Sequence, residues 1–88
     1  MNEGIKNLSD NWDTWGKALK SGQKGTSEYA EATKGARKAL KDITGTTEDV
    51  SDAFFDNAKN LKLMEKAAEG DAEAVKQLRK EVAKDLVV

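Results

Sequence analysis

Residues 1–20 decide the fold class, and they read MNEGIKNLSDNWDTWGKALK. The large apolar side chains of this stretch follow one another at spacings of 4-3-4-3-4, at Met1, Ile5, Leu8, Trp12, Trp15 and Leu19. On a helix of about 3.6 residues per turn, this spacing places them all along one stripe. The stretch therefore predicts an amphipathic helix that buries one face against other helices.

Glycines divide the rest of the chain into further helices. The 88 residues include seven glycines and no proline, and no segment alternates apolar and polar residues as a strand would. Residues 21–25 (SGQKG) predict the end of the first helix and a loop. Thr26 or Ser27 can then cap a second helix over residues 27–43. The buried stripe of this second helix consists of mostly small side chains, at Tyr29, Ala32, Ala36, Leu40 and Ile43.

Capping residues mark the remaining helices. Thr46 and Asp49 have capping-box spacing and predict the start of a short helix that carries Val50, Phe54 and Phe55. A restart is expected at Asp56 or Asn57. Gly70 predicts a left-handed residue that ends the following helix, and Asp71 predicts the N-cap of the last one. The last helix has its apolar residues on one face, at Val75, Leu78, Val82 and Leu86.

The chain is therefore predicted to be all-α: a small bundle of about five helices joined by short Gly-marked loops, forming a single domain over residues 1–88. Only 16 of the 88 residues are Leu, Ile, Val or Phe, so the core must be small. We expect its main members to be Leu8, Trp12, Trp15, Leu19, Leu40, Phe54, Leu61, Met64, Val75, Leu78 and Val82.

The composition argues against most enzyme chemistry. The chain has no cysteine and no histidine, which removes thiolate chemistry, the commonest general base and the commonest metal ligand. The acidic pairs Glu48 with Asp52 and Glu69 with Glu73 are expected to be solvated, because no nucleophile lies beside them. We therefore predict no catalytic residues, no metal site, no cofactor and no small-molecule substrate. No apolar run is long enough to span a membrane.

Charge is unevenly distributed along the chain. The net charge is only −1, but residues 17–41 hold seven Lys or Arg against two Glu, and residues 48–56 hold four acids and no base. We expect these two segments to pair across the fold. Nucleic-acid binding is disfavoured, because Glu28 and Glu31 would occupy the first turn of a recognition helix.

Six residues are candidates for binding a partner: Trp12, Trp15, Lys34, Arg37, Lys38 and Lys41. Tryptophan is common among the anchoring residues of protein interfaces. It is also well suited to the core of a domain that has few other large side chains. The sequence favours the core role for both tryptophans and leaves the interface role open.

The order of the segments resembles a known family. The segments are LSDNWDTWGKAL (8–19), SEYAEA (27–32), DVSDAF (49–54) and KAAEGDAEAV (66–75), followed by Leu78-Arg79. This series resembles a helical segment found inside the tail tape-measure proteins of bacteriophages and prophages. The likeness covers residues 8–85, and each segment alone has low specificity.

The resemblance implies that the chain is a piece of a larger protein, a structural or assembly module with no assigned catalytic residue. Its implied partners are other phage tail proteins or the rest of its own long chain. Its implied location is the virion tail, or the bacterial host cytoplasm during assembly. The chain is far too short to measure a tail, which fits a compact inserted module better than a rod. The alternative is a small helical adaptor or regulator that binds a protein through its basic middle segment.

Overall fold

The computed structural model describes residues 2–87, and within them all regular structure is helical, as the sequence predicts. The helices are α1 (Glu3–Ser21), α2 (Ser27–Thr44), α3 (Asp52–Phe55), α4 (Ala58–Ala68) and α5 (Ala72–Leu86). They form a bundle that measures 31 × 30 × 21 Å. No helix in the described part of the chain is both long and apolar enough to cross a membrane.

Helix α1 packs between α2 and α4. Its first turn approaches the last turns of α2 so closely that a Cβ atom on Gly4 would collide with the backbone of Ala39 and Ile43. At its other end, Lys20 lies beside Leu61 in the first turns of α4. Helix α1 is therefore antiparallel to both neighbours, and it contributes a different face to each.

Helix α2 follows the predicted pattern of small buried residues. Thr26 is its N-cap and accepts a hydrogen bond from the backbone N–H of Tyr29 at 3.2 Å. Gly45, with a φ of 78°, ends the helix in the left-handed conformation. The predicted stripe is confirmed, because Tyr29, Ala32, Ala36, Leu40 and Ile43 are all buried.

The turn between α4 and α5 also forms as predicted. Gly70 has a φ of 89°, and its N–H donates to the Ala67 carbonyl oxygen at 3.0 Å. The N–H of Asp71 donates to the Lys66 carbonyl oxygen at 3.1 Å, which completes a Schellman motif. The Asp71 carboxylate then accepts from the backbone N–H groups of Glu73 and Ala74, so the same short segment ends one helix and caps the next.

The predicted start of α3 is wrong. The helix begins at Asp52 after Ser51, and Thr46 is not its cap. The Thr46 hydroxyl instead accepts from the Glu48 N–H at 3.2 Å, which closes a local turn inside the loop. Threonine commonly makes such local bonds in competition with helix capping. Val50 consequently precedes the helix, although its side chain is buried as expected.

The core matches the predicted set except at the tryptophans. The nine aliphatic, Phe and Met residues expected inside are all buried: Leu8, Leu19, Leu40, Phe54, Leu61, Met64, Val75, Leu78 and Val82. Trp12 and Trp15 are only half-buried and pack against the edge of the core, as do Ile5 and Leu86. Met1, the first residue of the predicted α1 stripe, lies outside the described residues.

Candidate functional site

The two tryptophans lie on different sides of α1. Trp12 faces α4, where its indole N–H donates to Glu65 Oε2 at 3.4 Å. Trp15 faces α2, where its ring rests on Gly35. Residues three apart on a helix are about 60° apart around its axis. Because α1 has a neighbour on each side, this angle is enough to send the two side chains to separate surfaces.

The Trp15 ring packs directly against Gly35. A Cβ atom at position 35 would overlap the indole, with ring atoms Cη2 and Cε2 at 2.6 and 2.7 Å. A glycine inside a helix costs about 1 kcal/mol relative to alanine. Here it gives the ring room to pack directly against the backbone of α2 while part of the ring stays in contact with solvent.

The Trp15 groove is an open depression of about 990 Å³. It is formed by Asn11 and Trp15 of α1, by side chains of α2 between Ala30 and Lys41, and by Asp49 of the following loop. Five of the six candidate partner-binding residues line it together: Trp15, Lys34, Arg37, Lys38 and Lys41. Trp12 does not, and lies in a separate depression of about 440 Å³ beside Lys20 and Glu65.

The Arg37 side chain is engaged in contacts within the domain. Its Nε donates to the Val50 carbonyl oxygen at 3.0 Å, and its Nη2 pairs with Asp52 Oδ1 at 2.5 Å. The guanidinium also lies over the Phe55 ring, 5.3 Å from its centroid. A single side chain thus ties α2 to the loop before α3 and to α3 itself.

The other cations of the groove fall into two kinds. Lys41 is half-buried and pairs with Asp49 at 2.6 Å. Lys38 is exposed, and its contact is a long one, 3.6 Å to Asp42 on its own helix. Lys34 is exposed and has no ion-pair partner among residues 2–87. Lys34 and Lys38 therefore present available positive charge beside Trp15.

The predicted pairing of the basic and acidic segments is confirmed. Lys24 pairs with Asp56 at 2.8 Å, and the Arg37 and Lys41 pairs described above engage Asp52 and Asp49. Three of the four acids in residues 48–56 thus neutralise cations of α2 and of the loop that precedes it. Most of the Lys and Arg side chains in residues 17–41 are therefore paired with acids within the domain.

Glu65 connects α4 to α1 beside the Trp12 depression. Its Oε2 accepts from Lys20 Nζ at 2.7 Å and from the Trp12 indole. These hydrogen bonds, chiefly the one from Lys20, and the nearby positive charge lower the pKa of the Glu65 carboxyl. The lowered pKa keeps the Glu65 carboxylate ionised, and this contact between the helices charged, further into the acidic pH range.

Five of the six residues predicted to bind a partner lie together in the groove, but Gly35, against which Trp15 packs, was not among the predicted residues. The available signal was a glycine inside an otherwise Ala- and Lys-rich helix, which has no reason to be there on propensity alone. The sequence could not show that Trp15 packs on this glycine, because the spacing of residues within one helix does not predict which residue of another helix contacts it.

In comparisons with known proteins, no family model matches the chain, and no curated protein or solved structure matches it either.

Proposed function

We propose that this chain is a non-catalytic helical module that works by contacting other proteins, and that its parent is a phage or prophage tail tape-measure protein. The observation that supports a contact role is the Trp15 groove, which combines a partly exposed tryptophan with available lysines. Interface anchors are typically large aromatic side chains at the centre of a patch with a charged surround.

A binding role suits the groups around the groove better than catalysis does. The acids that could have served as general acid or base, Glu48, Asp52, Glu69 and Glu73, are exposed at the surface. Asp52 is also held by Arg37. General acid–base chemistry relies on groups positioned within hydrogen-bond reach of a bound substrate.

The proposed parent rests on the order of the sequence segments between residues 8 and 85. The compact bundle is consistent with a globular insert in a long tape-measure chain rather than with the extended measuring part. In this proposal the module acts in the tail, or in the host cytoplasm during assembly, and contacts other tail proteins or the rest of its own chain.

Mass spectrometry of purified phage tails tests whether the chain is part of a tail protein. Trypsin releases residues 42–59 (DITGTTEDVSDAFFDNAK) as one peptide. We expect this peptide in tails purified from the bacterium that encodes the chain, together with peptides from a much longer protein that contains it. Its absence from tails, or a reading frame that encodes these 88 residues alone away from tail genes, would contradict the proposal.

A free-standing adaptor that binds a protein partner is the second candidate. The same groove favours it, because a docking site of this kind needs no parent chain. The two candidates separate in the tail experiment: the adaptor is expected in the soluble fraction of the cell and not in tails.

A further inference from the structure

We propose that the Trp15 groove binds an acidic helical segment of a partner protein, with Lys34 and Lys38 pairing with carboxylates and Trp15 packing against an apolar side chain between them. The inference deepens the proposed contact role and rests on it, but it does not depend on membership of a phage tail.

The charges that remain available in the groove define the chemistry of the partner. Arg37 and Lys41 are neutralised by Asp52 and Asp49. Lys34 and Lys38 are the exposed cations beside Trp15, and a partner that meets them must supply negative charge. The groove therefore complements a partner that carries a few separate carboxylates better than it complements a continuous polyanion.

The spacing of the two lysines suits a helix. Residues four apart on α2 have Cβ atoms about 6 Å apart on the same face. Carboxylates one helical turn apart on a partner match this separation. The lining residues of α2 run from Ala30 to Lys41. At about 1.5 Å of rise per residue, this run is about 16 Å long, which accommodates three turns of a docked helix.

Trp15 supplies the apolar part of the contact. Its ring is fixed against Gly35 on one side, so little rotamer freedom is left to lose when a partner covers it. A side chain that is already ordered gives contact area at low entropic cost. The indole therefore acts as a preformed platform for an apolar residue of the partner.

A nucleic acid fits the groove less well. Glu31 and Asp49 also line it. A phosphate backbone carries charge at every nucleotide and cannot avoid these carboxylates, whereas a peptide can place neutral residues opposite them. Nucleic-acid binding also draws on several uncommitted cations, and here Arg37 and Lys41 are engaged with acids of other segments, while Lys38 has a long contact to Asp42.

A peptide titration tests the proposal. The probe is a synthetic helical peptide of about 15 residues, or four turns, with glutamates one turn apart around a leucine. The protein carries Trp12→Phe, so that Trp15 is its sole tryptophan. We expect a saturable change in Trp15 emission at about 0.01 M salt that weakens at about 0.15 M, where screening is stronger. The same peptide with lysine in place of glutamate is expected to leave the emission unchanged.

Matched charge reversals locate the binding. Lys34→Glu with Lys38→Glu should weaken binding on the order of tenfold, because two favourable pairs become repulsive. Lys76→Glu with Lys80→Glu is the control, since these residues are also four apart and exposed, on α5, outside the lining of the groove. Both pairs are compared at about 0.15 M salt, where charges more than about 8 Å apart are largely screened. The control pair makes the same change in net charge and should there alter the affinity by less than about twofold. Circular dichroism checks that both variants remain helical.

Three results would overturn the inference: no saturable change with the glutamate peptide, equal weakening by the two charge-reversed pairs, or tighter binding of a polythymidine strand than of the peptide. The last result would make the groove a nucleic-acid site. The two proposals fail separately. Peptide binding by a chain that is absent from tails contradicts only the proposed parent, and a chain present in tails that does not bind the peptide contradicts only this inference.

Discussion

Replacing Gly35 by alanine sets two known effects against each other. In a helix interior, alanine is favoured over glycine by about 1 kcal/mol. In this bundle, the new Cβ would approach the Trp15 atoms Cη2 and Cε2 to 2.6 and 2.7 Å. These distances are about 1 Å inside normal carbon–carbon contact. The ring must move outward and give up part of its contact with α2.

The packing effect is expected to win. Overpacking of this size costs about 1–3 kcal/mol, so Gly35→Ala should lower the free energy of unfolding by about 1 kcal/mol after the propensity gain is subtracted. For a domain of this size, that loss lowers the Tm by roughly 4–8 °C. Urea and thermal unfolding followed by circular dichroism measure it, and the displaced indole should shift its fluorescence emission to longer wavelength.

Repeating the Gly35→Ala substitution in a protein that lacks the Trp15 ring separates the packing effect from the helix-propensity effect. In a Trp15→Ala protein the ring is gone, and Gly35→Ala should then stabilise the fold by about 1 kcal/mol. Ala30→Gly, at an exposed position of the same helix, calibrates the propensity term within α2. If Gly35→Ala raises the Tm while Trp15 is present, the ring does not rest on Gly35 and the description of the groove is wrong.

Three further predictions concern the contacts that hold the bundle together. Arg37→Lys should lower the free energy of unfolding by about 1–2 kcal/mol in urea titrations, because lysine cannot bond the Val50 carbonyl and Asp52 at once. An unchanged midpoint would contradict this stabilising role of Arg37. Gly70→Val should cost more than about 1 kcal/mol in thermal unfolding because of its positive φ, and Gly70→Asn clearly less, so equal losses would count against the left-handed turn. The pKa of Glu65 is lowered in the folded state, so its contribution to stability is present above its unfolded value of 4.5 and is lost as the pH falls below it. Glu65→Gln should therefore show a weaker loss of stability on acidification than the unsubstituted protein, and parallel curves would refute the role of this carboxylate.

Local signals were enough to predict the helices. Left-handed glycines and capping side chains act within a few residues of the chain, so Gly70 and Asp71 could be identified without knowledge of the fold. The start of α3 was missed for a local reason as well. Thr46 had two backbone partners within reach, and the hydrogen bond that closes the loop won over the one that would cap a helix.

The groove depended on contacts that periodicity does not encode. The stripe on α1 predicted Trp12 and Trp15 in the core, but both are only half-buried at its edge. It also could not tell that Trp12 faces α4 and Trp15 faces α2. The basic residues of α2 looked alike in the sequence. They became different only when Asp49 and Asp52 were brought opposite Lys41 and Arg37 by the fold.

Cross-linking within the parent organism tests most directly whether the Trp15 groove is a protein-binding surface. A photoreactive benzophenone side chain would replace Ala30, an exposed residue of the groove that carries no charge, and Ala83 on α5 in a control, in the organism that encodes the chain. We predict that position 30 cross-links to an acidic segment of a partner protein and that position 83 gives no such product. The absence of a cross-link from position 30, or the same products from both positions, would contradict the account.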